Sequence, residues 1–324
     1  MVMNYREAIK GGFGVINRNW QLVAIQVAVM LINCLGFFIV VVLPMVIVAV
    51  ATGLDIEGLS NLKDLPHNVG TYISNYMGLI AAGIFFLLIY LVVISVLAIY
   101  MYGASSGVIA YSINNPIEKF SLKRFFREGK RLFWPMFGYL AVVGLLLMAL
   151  VIFVTVLFVI VIVIVDFLKG LDSHIGFFAS IFLALLSISV MLLAITFGLA
   201  VTFYGTAFLV FQGKGAFVSV KEAIQYIYKK QSAYWLYCIV IGASVVAAII
   251  LMLMGLPFNE IPVVGVFIAL PYQFFTYVVQ SYLGLFSLAV IFVYFYSGIS
   301  VDASIQASDT FVQGDPGQGG IPPQ

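Results

Sequence analysis

The sequence predicts an all-α integral membrane protein with six transmembrane helices, arranged as three helical hairpins that each follow a cytoplasmic interfacial amphipathic helix. Three observations predict this class. Of the 324 residues, 64% are hydrophobic and 9% are charged, whereas a soluble domain is about half apolar and a quarter charged. Six runs of bilayer-spanning length contain no charged residue. Short basic segments with helical periodicity precede the first, third and fifth runs.

The first unit begins with a predicted interfacial helix over residues 4–19. Its apolar residues recur at helical spacing, and Asn4 with Glu7 matches a capping box. Three glycines in this helix, Gly11, Gly12 and Gly14, are each expected to cost about 1 kcal/mol relative to alanine. The first span covers 20–50 and is long enough to require a tilt, an extension or a kink at Pro44. A polar loop is predicted over 53–75, and the second span over 76–102.

The middle unit contains the most basic segment, residues 121–134. Leu122, Phe125, Phe126, Gly129, Leu132 and Phe133 share one helical face. The opposite face carries the cations, which are Lys123, Arg124, Arg127, Lys130 and Arg131. Such a helix is expected to lie in the membrane interface, with its rings among acyl chains and its cations toward lipid headgroups. Pro135 then starts the third span, which runs to residue 165, and the fourth span covers 177–211.

The third unit begins with a predicted helix over residues 217–233. Ser219 and Glu222 match a capping box, and the cations are Lys221, Lys229 and Lys230. The fifth span covers 234–254. The eight apolar residues 263–270 are too few to cross a bilayer, which predicts a re-entrant or interfacial piece. The sixth span covers 272–300, and the composition of 301–324 predicts a disordered cytoplasmic tail.

The placement of positive charge predicts the orientation in the membrane. Thirteen of the 15 lysines and arginines fall on the side that six spans assign to both termini, in groups of three, six and four. The opposite loops hold only Lys63 and Lys169. Because cytoplasmic loops carry an excess of Lys and Arg, both termini are predicted to be cytoplasmic in a multi-pass protein of the cell membrane.

An internal repeat is predicted from two sets of aromatic residues. The three tryptophans, Trp20, Trp134 and Trp235, each stand where a predicted interfacial helix enters an odd-numbered span, as interface anchors. Residues 7–20 (EAIKGGFGVINRNW) align without a gap with 222–235 (EAIQYIYKKQSAYW), and each even span ends in Tyr-Gly or Tyr-Ser-Gly. The predicted units cover about 4–107, 116–208 and 217–300 of a single membrane domain. Units of the same orientation are expected to be related about an axis along the membrane normal.

The EAI…W entries and aromatic-Gly exits of this six-span pattern resemble the membrane domain of bacterial glycerophosphoryl diester phosphodiesterases and related uncharacterised six-pass families. The resemblance covers residue 4 to about 300. It implies a fold and a membrane location. The catalytic domain of those enzymes is a separate soluble barrel, so the resemblance implies no catalytic residue in this chain.

The chemistry-bearing residues favour a protein without enzymatic activity. No ionisable residue lies at hydrocarbon depth in the predicted spans, which argues against proton-coupled carriers and intramembrane hydrolases. The polar span residues are expected to form interhelical hydrogen bonds. The alternative is that Gln26, Asn33 and Gln280 line a cavity. His67 and His174, with nearby acids, match no recognised metal-ligand spacing. No catalytic, cofactor-binding or metal site is therefore predicted.

Three hypotheses for function follow. The first is a lipid-interacting or partner-docking scaffold at the cytoplasmic face, with anionic membrane lipids or a cytoplasmic or membrane protein as partner. Nucleic acid is not expected, since the basic helices lie at a membrane. The second is the membrane component of a transporter coupled to a separate ATPase subunit. The third is a lipid-acting enzyme at the outer face that uses His67, His174 and the nearby acids.

Overall fold

The computed structural model describes residues 3–51, 65–171, 173–259 and 264–312. These residues form α-helices, one π-helical segment and short connections, without a strand among them. The π-helical segment Phe38–Val42 joins α2 to α3. The helices are α1 (Tyr5–Arg18), α2 (Gln21–Phe37), α3 (Leu43–Ala51), α4 (Leu65–Asn114), α5 (Leu122–Leu171), α6 (Ser173–Gln212), α7 (Ala216–Lys229), α8 (Gln231–Asn259) and α9 (Val264–Val312).

Six helical stretches are long and apolar enough to cross a membrane, which confirms the prediction of a multi-pass membrane protein with six spans. An isolated span must be helical, because helix formation satisfies every backbone donor and acceptor within the segment. The six stretches are Gln21–Ala51, Met77–Asn114, Leu122–Gly170, Gly176–Gln212, Gln231–Pro257 and Phe267–Ile299.

The helix boundaries differ from the predicted ones at three places. α4 begins at Leu65, inside the predicted loop over 53–75. The basic segment 121–134 is continuous with the third span in α5, so Pro135 lies inside a helix and does not start one. α9 begins at Val264, so residues 264–270 are the first turns of the last helix rather than a separate re-entrant piece. It also runs to Val312, beyond the predicted start of the tail at residue 301.

The chain folds into two compact bodies, Met1–Trp20 with Gly103–Gln324, and Gln21–Tyr102. In the second body, the Tyr90 hydroxyl donates to the Asn33 carbonyl at 3.2 Å, and its ring meets Phe37 edge-on. Pro44 lies two residues after the last residue of the π-helical segment. Because proline supplies no N–H to the carbonyl one turn before it, the widened turn lies where the helix loses a hydrogen bond.

The core of the first body lies around the C-terminal half of α9. Residues 288–292 of α9 are all buried, and half of the residues in the most apolar part of this span are buried. α8 contacts α9 through a hydrogen bond between the hydroxyls of Ser244 and Ser287. α5 contacts α6, where the Tyr139 hydroxyl donates to the Thr202 carbonyl at 2.7 Å. These contacts hold neighbouring helices of the first body together.

Candidate lipid- and partner-binding surface

The helix α1 packs against α9 through a face that includes two glycines. Gly12 is buried, and a β-carbon added there would lie 2.8 Å from the backbone nitrogen of Val290. At Gly11 it would lie 2.9 Å from the Val293 side chain. Phe13 is exposed while Gly12 is buried, so the face of α1 that meets protein includes the glycine and leaves the phenylalanine outside. Close approach of two helices requires a small residue at the contact, which gives the glycines a packing role.

A polar contact fixes the C-terminal end of α1 to the end of α4. Arg18 donates to the carbonyl and the hydroxyl of Ser112, both at 2.7 Å, and to the carbonyl of Pro116. The Asn19 side-chain amide donates to the Ser112 hydroxyl at 2.9 Å and to the Val15 carbonyl at 2.7 Å. The guanidinium of Arg18 therefore stabilises the contact between α1 and α4, and these hydrogen bonds compete with any contact to a lipid headgroup.

The basic beginning of α5 packs against the end of α4 at the GASSG sequence. A β-carbon at Gly107 would lie 2.8 Å from the Cβ of Glu128 and 2.9 Å from Leu132. Phe125 is 2% exposed, whereas Phe126 is 59% exposed. The predicted single apolar face is therefore divided. Its Phe125 and Leu132 side contacts protein, and its Phe126 side faces outward.

The helix α7 packs against the end of α6. The Tyr226 ring lies between Tyr204 and Phe208, with ring centroids 5.3 and 5.9 Å away. Val220, Ala223 and Ile227, which recur at helical spacing, are buried, whereas Tyr228 is exposed. The predicted capping box is wrong. α7 begins one turn earlier, with Gly215 at the N-cap, and Glu222 pairs with Lys214.

Three of the predicted binding cations contact other side chains of the chain. Arg124 pairs with Glu118 and lies 3.8 Å above the Tyr111 ring, whose hydroxyl donates to the same carboxylate at 2.8 Å. The hydrogen bond from Tyr111, and then Arg124, lower the pKa of Glu118. This cluster connects the end of α4 to the start of α5, so Arg124 has a structural partner.

The other two engaged cations are Arg131 and Lys230. Arg131 lies 2.7 Å from a carboxylate oxygen of the buried Glu128, as an ion pair that lacks hydrogen-bond geometry. The Lys230 ammonium lies 5.5 Å above the Tyr226 ring. Arg131 is the more exposed member of its pair, so its outer face remains in solvent.

The remaining cations are exposed. Lys123, Arg127 and Lys130 lie on α5 at helical spacing, and Lys221 and Lys229 lie on the solvent face of α7. No ion pair involves Lys123, Arg127 or Lys130 within the described ranges. The same α5 stripe continues to Trp134 and Phe137, which are exposed too. We call Lys123, Arg127, Lys130 and Trp134 the basic stripe.

All three tryptophans have exposed rings. Trp20 is 60% exposed, Trp134 is 73% exposed and Trp235 is 61% exposed. A tryptophan ring that the fold leaves uncovered is typical of the membrane–water interface, where its apolar body and its N–H face different environments. The exposure of all three rings is therefore consistent with their predicted role as interface anchors.

The predicted outer-face residues are described only in part. Asp55, Glu57, Asp64, Asp172 and Glu260 lie outside the described residues, and His67 lies in the first turn of α4. His174 is exposed at the start of α6, and Asp166 lies 3.9 Å from Lys169. Among the described residues, no group of three or more His, Cys, Asp or Glu side chains comes together.

Two features of the structure lie outside the predicted site. Glu128 is buried against Gly107 although it stands within the basic segment, and no sequence pattern predicts this contact. A cleft between α8 and α9 contains Gln273 and Thr276 besides the predicted Gln280. A polar stripe at spacing 273, 276 and 280 was present in the sequence.

Comparison of the chain with protein-family models, curated proteins and solved structures finds no match. The resemblance to the membrane domain of glycerophosphoryl diester phosphodiesterases stays a prediction.

Proposed function

We propose that this chain is a non-enzymatic multi-pass protein of the cell membrane that binds anionic phospholipid headgroups along the basic stripe, with both termini in the cytoplasm. The observation that supports this proposal is the continuity of exposed cations with an exposed tryptophan on one helix. A helix that carries cations, then tryptophan, then only apolar residues matches the order of layers from cytoplasm to hydrocarbon.

The rise along α5 gives the depth of each cation. Counted from Trp134 at about 1.5 Å per residue, Lys130 lies about 6 Å away, Arg127 about 10 Å and Lys123 about 16 Å. The headgroup layer on each side of a bilayer is roughly 5–8 Å thick. In this proposal, with Trp134 at the hydrocarbon boundary and α5 along the membrane normal, Lys130 lies among the headgroups and Arg127 a few ångströms beyond them. Lys123 reaches lipid through the negative surface potential, which extends by about one Debye length.

Three helical segments lead into the odd-numbered spans, and we call them the entry segments: α1, the start of α5, and α7. Their packing supports an orientation in which all three lie at the cytoplasmic side. α1 contacts the C-terminal half of α9, the start of α5 contacts the end of α4, and α7 contacts the end of α6. Each segment thus packs on the end of an even-numbered span. α7 also approaches α5, where the Ala216 side chain lies 4.0 Å from a β-carbon built at Gly138. Lys221 and Lys229 therefore extend the positive charge onto a neighbouring helix.

The test compares two double variants of equal charge change in nanodiscs that contain phosphatidylcholine and phosphatidylglycerol. R127Q/K130Q removes two members of the basic stripe, and R6Q/K10Q removes two exposed cations of α1. Each stripe cation contributes about 1 kcal/mol, so R127Q/K130Q is expected to weaken phosphatidylglycerol binding roughly thirtyfold. Native mass spectrometry measures the bound lipid. Equal binding by R127Q/K130Q and the unchanged protein would refute the proposal and leave an acidic protein partner as the occupant.

A transporter component is the second candidate. The observation that favours it is the cleft between α8 and α9, which contains polar side chains within a membrane span. This hypothesis requires an ATPase subunit supplied by another chain, since the sequence has no Walker lysine. Affinity purification from native membranes, followed by nucleotide-dependent ATPase measurement, distinguishes this candidate from the lipid-binding scaffold.

A further inference from the structure

A cleft of about 560 Å³ lies between α8 and α9. Its volume falls in the range of pockets that hold small molecules. Most of its wall is apolar, from Val245, Ala248, Ile249 and Met252 on α8. The side chains that line it carry no charge. A charged ligand would lose its hydration there without gaining a counter-ion, so the cleft favours an occupant that is mostly apolar.

Two contacts mark the ends of the cleft. At one end the Tyr272 hydroxyl donates to the Leu251 carbonyl, and the Tyr272 ring covers Gly255, where a β-carbon would lie 2.6 Å from it. Toward the other end, the hydroxyls of Ser244 and Ser287 are 3.0 Å apart. Between these contacts the facing residue is the small Ala248. The helices are therefore held together on both sides of a gap that they do not fill.

One wall of the cleft carries a short polar stripe. Gln273, Thr276 and Gln280 recur at three- and four-residue steps on α9. The Thr276 hydroxyl oxygen is buried and has no hydrogen-bond partner in the described part of the chain. A buried hydroxyl without a partner destabilises the protein, and a ligand that accepts its hydrogen bond relieves this penalty. The stripe thus offers hydrogen-bond donors to an acceptor on a ligand.

The position of this stripe along the spans points to the leaflet opposite the basic stripe. Trp235 lies near the start of the fifth span and Tyr296 near the end of the sixth, on the side where the basic residues gather. About twenty residues of helix cover the roughly 30 Å of hydrocarbon. Counting that distance from each anchor reaches Gly255 on α8 and Thr276 on α9. The polar stripe therefore lies at the depth of the ester groups in the far leaflet.

We propose that this cleft binds one phospholipid of the far leaflet, with an acyl chain against Ala248, Ile249 and Met252 and an ester carbonyl accepting a hydrogen bond from Thr276. An apolar chain with an uncharged acceptor at its end matches both the neutral wall and the unpartnered hydroxyl. The cleft is independent of the basic stripe, because it lies on α8 and α9 and at the opposite leaflet, whereas the basic stripe lies on α5.

The test uses the full chain in liposomes that contain a phosphatidylcholine with a photoreactive group in its acyl chain. In the unchanged protein, cross-links are expected on peptides of α8 and α9 that border the cleft. A248W fills the cleft, and the matched control V246W places the same ring on an exposed position of α8 outside it. We expect A248W to lower the cross-link yield at least fivefold and V246W to leave it unchanged.

A second variant guards against misfolding of A248W. T276V keeps the shape of the side chain and removes only its hydroxyl, so we expect a two- to fivefold loss of cross-linking. Unchanged yield in both A248W and T276V overturns the proposal, as does cross-linking of the cleft mainly to a second copy of the chain. R127Q/K130Q is expected to leave these cross-links intact, so failure of the basic stripe and failure of the cleft give different results.

Discussion

The contact between α1 and α9 predicts opposite effects for two glycines that lie two residues apart. Gly12 is buried, and a β-carbon there would come within 2.8 Å of the Val290 nitrogen and 2.9 Å of its Cα. Backbone atoms cannot rotate away as a side chain can, so Gly12→Ala forces the two helices apart. Gly14 is exposed, and a β-carbon there meets nothing within 4 Å.

The magnitudes follow from two competing terms. Alanine in place of glycine stabilises a helix interior by about 0.8–1 kcal/mol. Overpacking a well-filled contact costs about 1–3 kcal/mol. Gly14→Ala gains the first term alone, so it is expected to stabilise the docked α1 by up to about 1 kcal/mol. Gly12→Ala bears both terms, and the backbone contact places its cost at the upper end, so it is expected to destabilise by about 1–2 kcal/mol.

Amide hydrogen exchange of α1 in detergent micelles measures this difference directly. Relative to the unchanged protein, exchange of the α1 amides should accelerate in Gly12→Ala and slow in Gly14→Ala. Exchange in the N-terminal half of α6 serves as the internal reference, because α6 contacts α9 at its other end, through Phe208 and Phe211. Slower exchange in both variants would show that helix propensity dominates and that α1 does not pack closely on α9.

Two further predictions concern polar contacts of the first body. Tyr204→Phe removes a buried hydrogen bond to the Ala233 carbonyl at 2.8 Å, so the midpoint of thermal unfolding should fall by an amount that corresponds to about 1–3 kcal/mol, while Tyr228→Phe, at an exposed position, should leave it unchanged. The lowered pKa of Glu118 means that its hydrogen bond from Tyr111 and its ion pair with Arg124 stabilise the fold above the ordinary carboxyl pKa of about 4.3. This stabilisation is lost as pH falls through the lowered value. The protection factors of the amides at the start of α5, which correct for the slower intrinsic exchange at low pH, should therefore fall on acidification in the unchanged protein and not in Glu118→Gln. An equal fall in both proteins would contradict the assignment.

The six spans could be predicted from sequence because the hydrocarbon core sets a minimum length for an uncharged helix. Helix ends could not, as α5 illustrates. Pro135 is acceptable both in the first turn of a helix and within a membrane helix, where neighbouring groups can satisfy the carbonyl it leaves free. Pro135 is exposed on a helix that continues from Leu122. A helix that starts at Pro135 and a helix that continues through it are therefore both compatible with the sequence. In the structure Leu132 packs on the end of α4, so the turn before Pro135 is held in the helix.

The faces of the short helices were less predictable than their existence. Periodicity marks the residues that avoid water, but it does not say whether lipid or protein covers them. In α1, Gly12 and Ile16 are buried while Phe13 is exposed. Glycine has no side chain, so the α9 backbone can pack closely against it, whereas phenylalanine at that position would prevent this approach. The capping box predicted at Ser219 is wrong because its S-x-x-E pattern lies about four residues inside α7. The chain reverses at Gly213, whose φ of 65° suits glycine, and α7 begins shortly after it at Ala216.

The pairing of entry segments with span ends bears on the predicted repeat. The start of α5 packs on α4 and α7 packs on α6, so each segment contacts the span immediately before it in sequence. No span precedes α1 within these residues, and it packs on α9, the last span. Three units related by rotation about one axis along the membrane normal would generate this cycle, because the first segment would then contact the end of the third unit. The glycine pair of α1, which has no counterpart in 222–235, is the local adaptation that this closing contact requires.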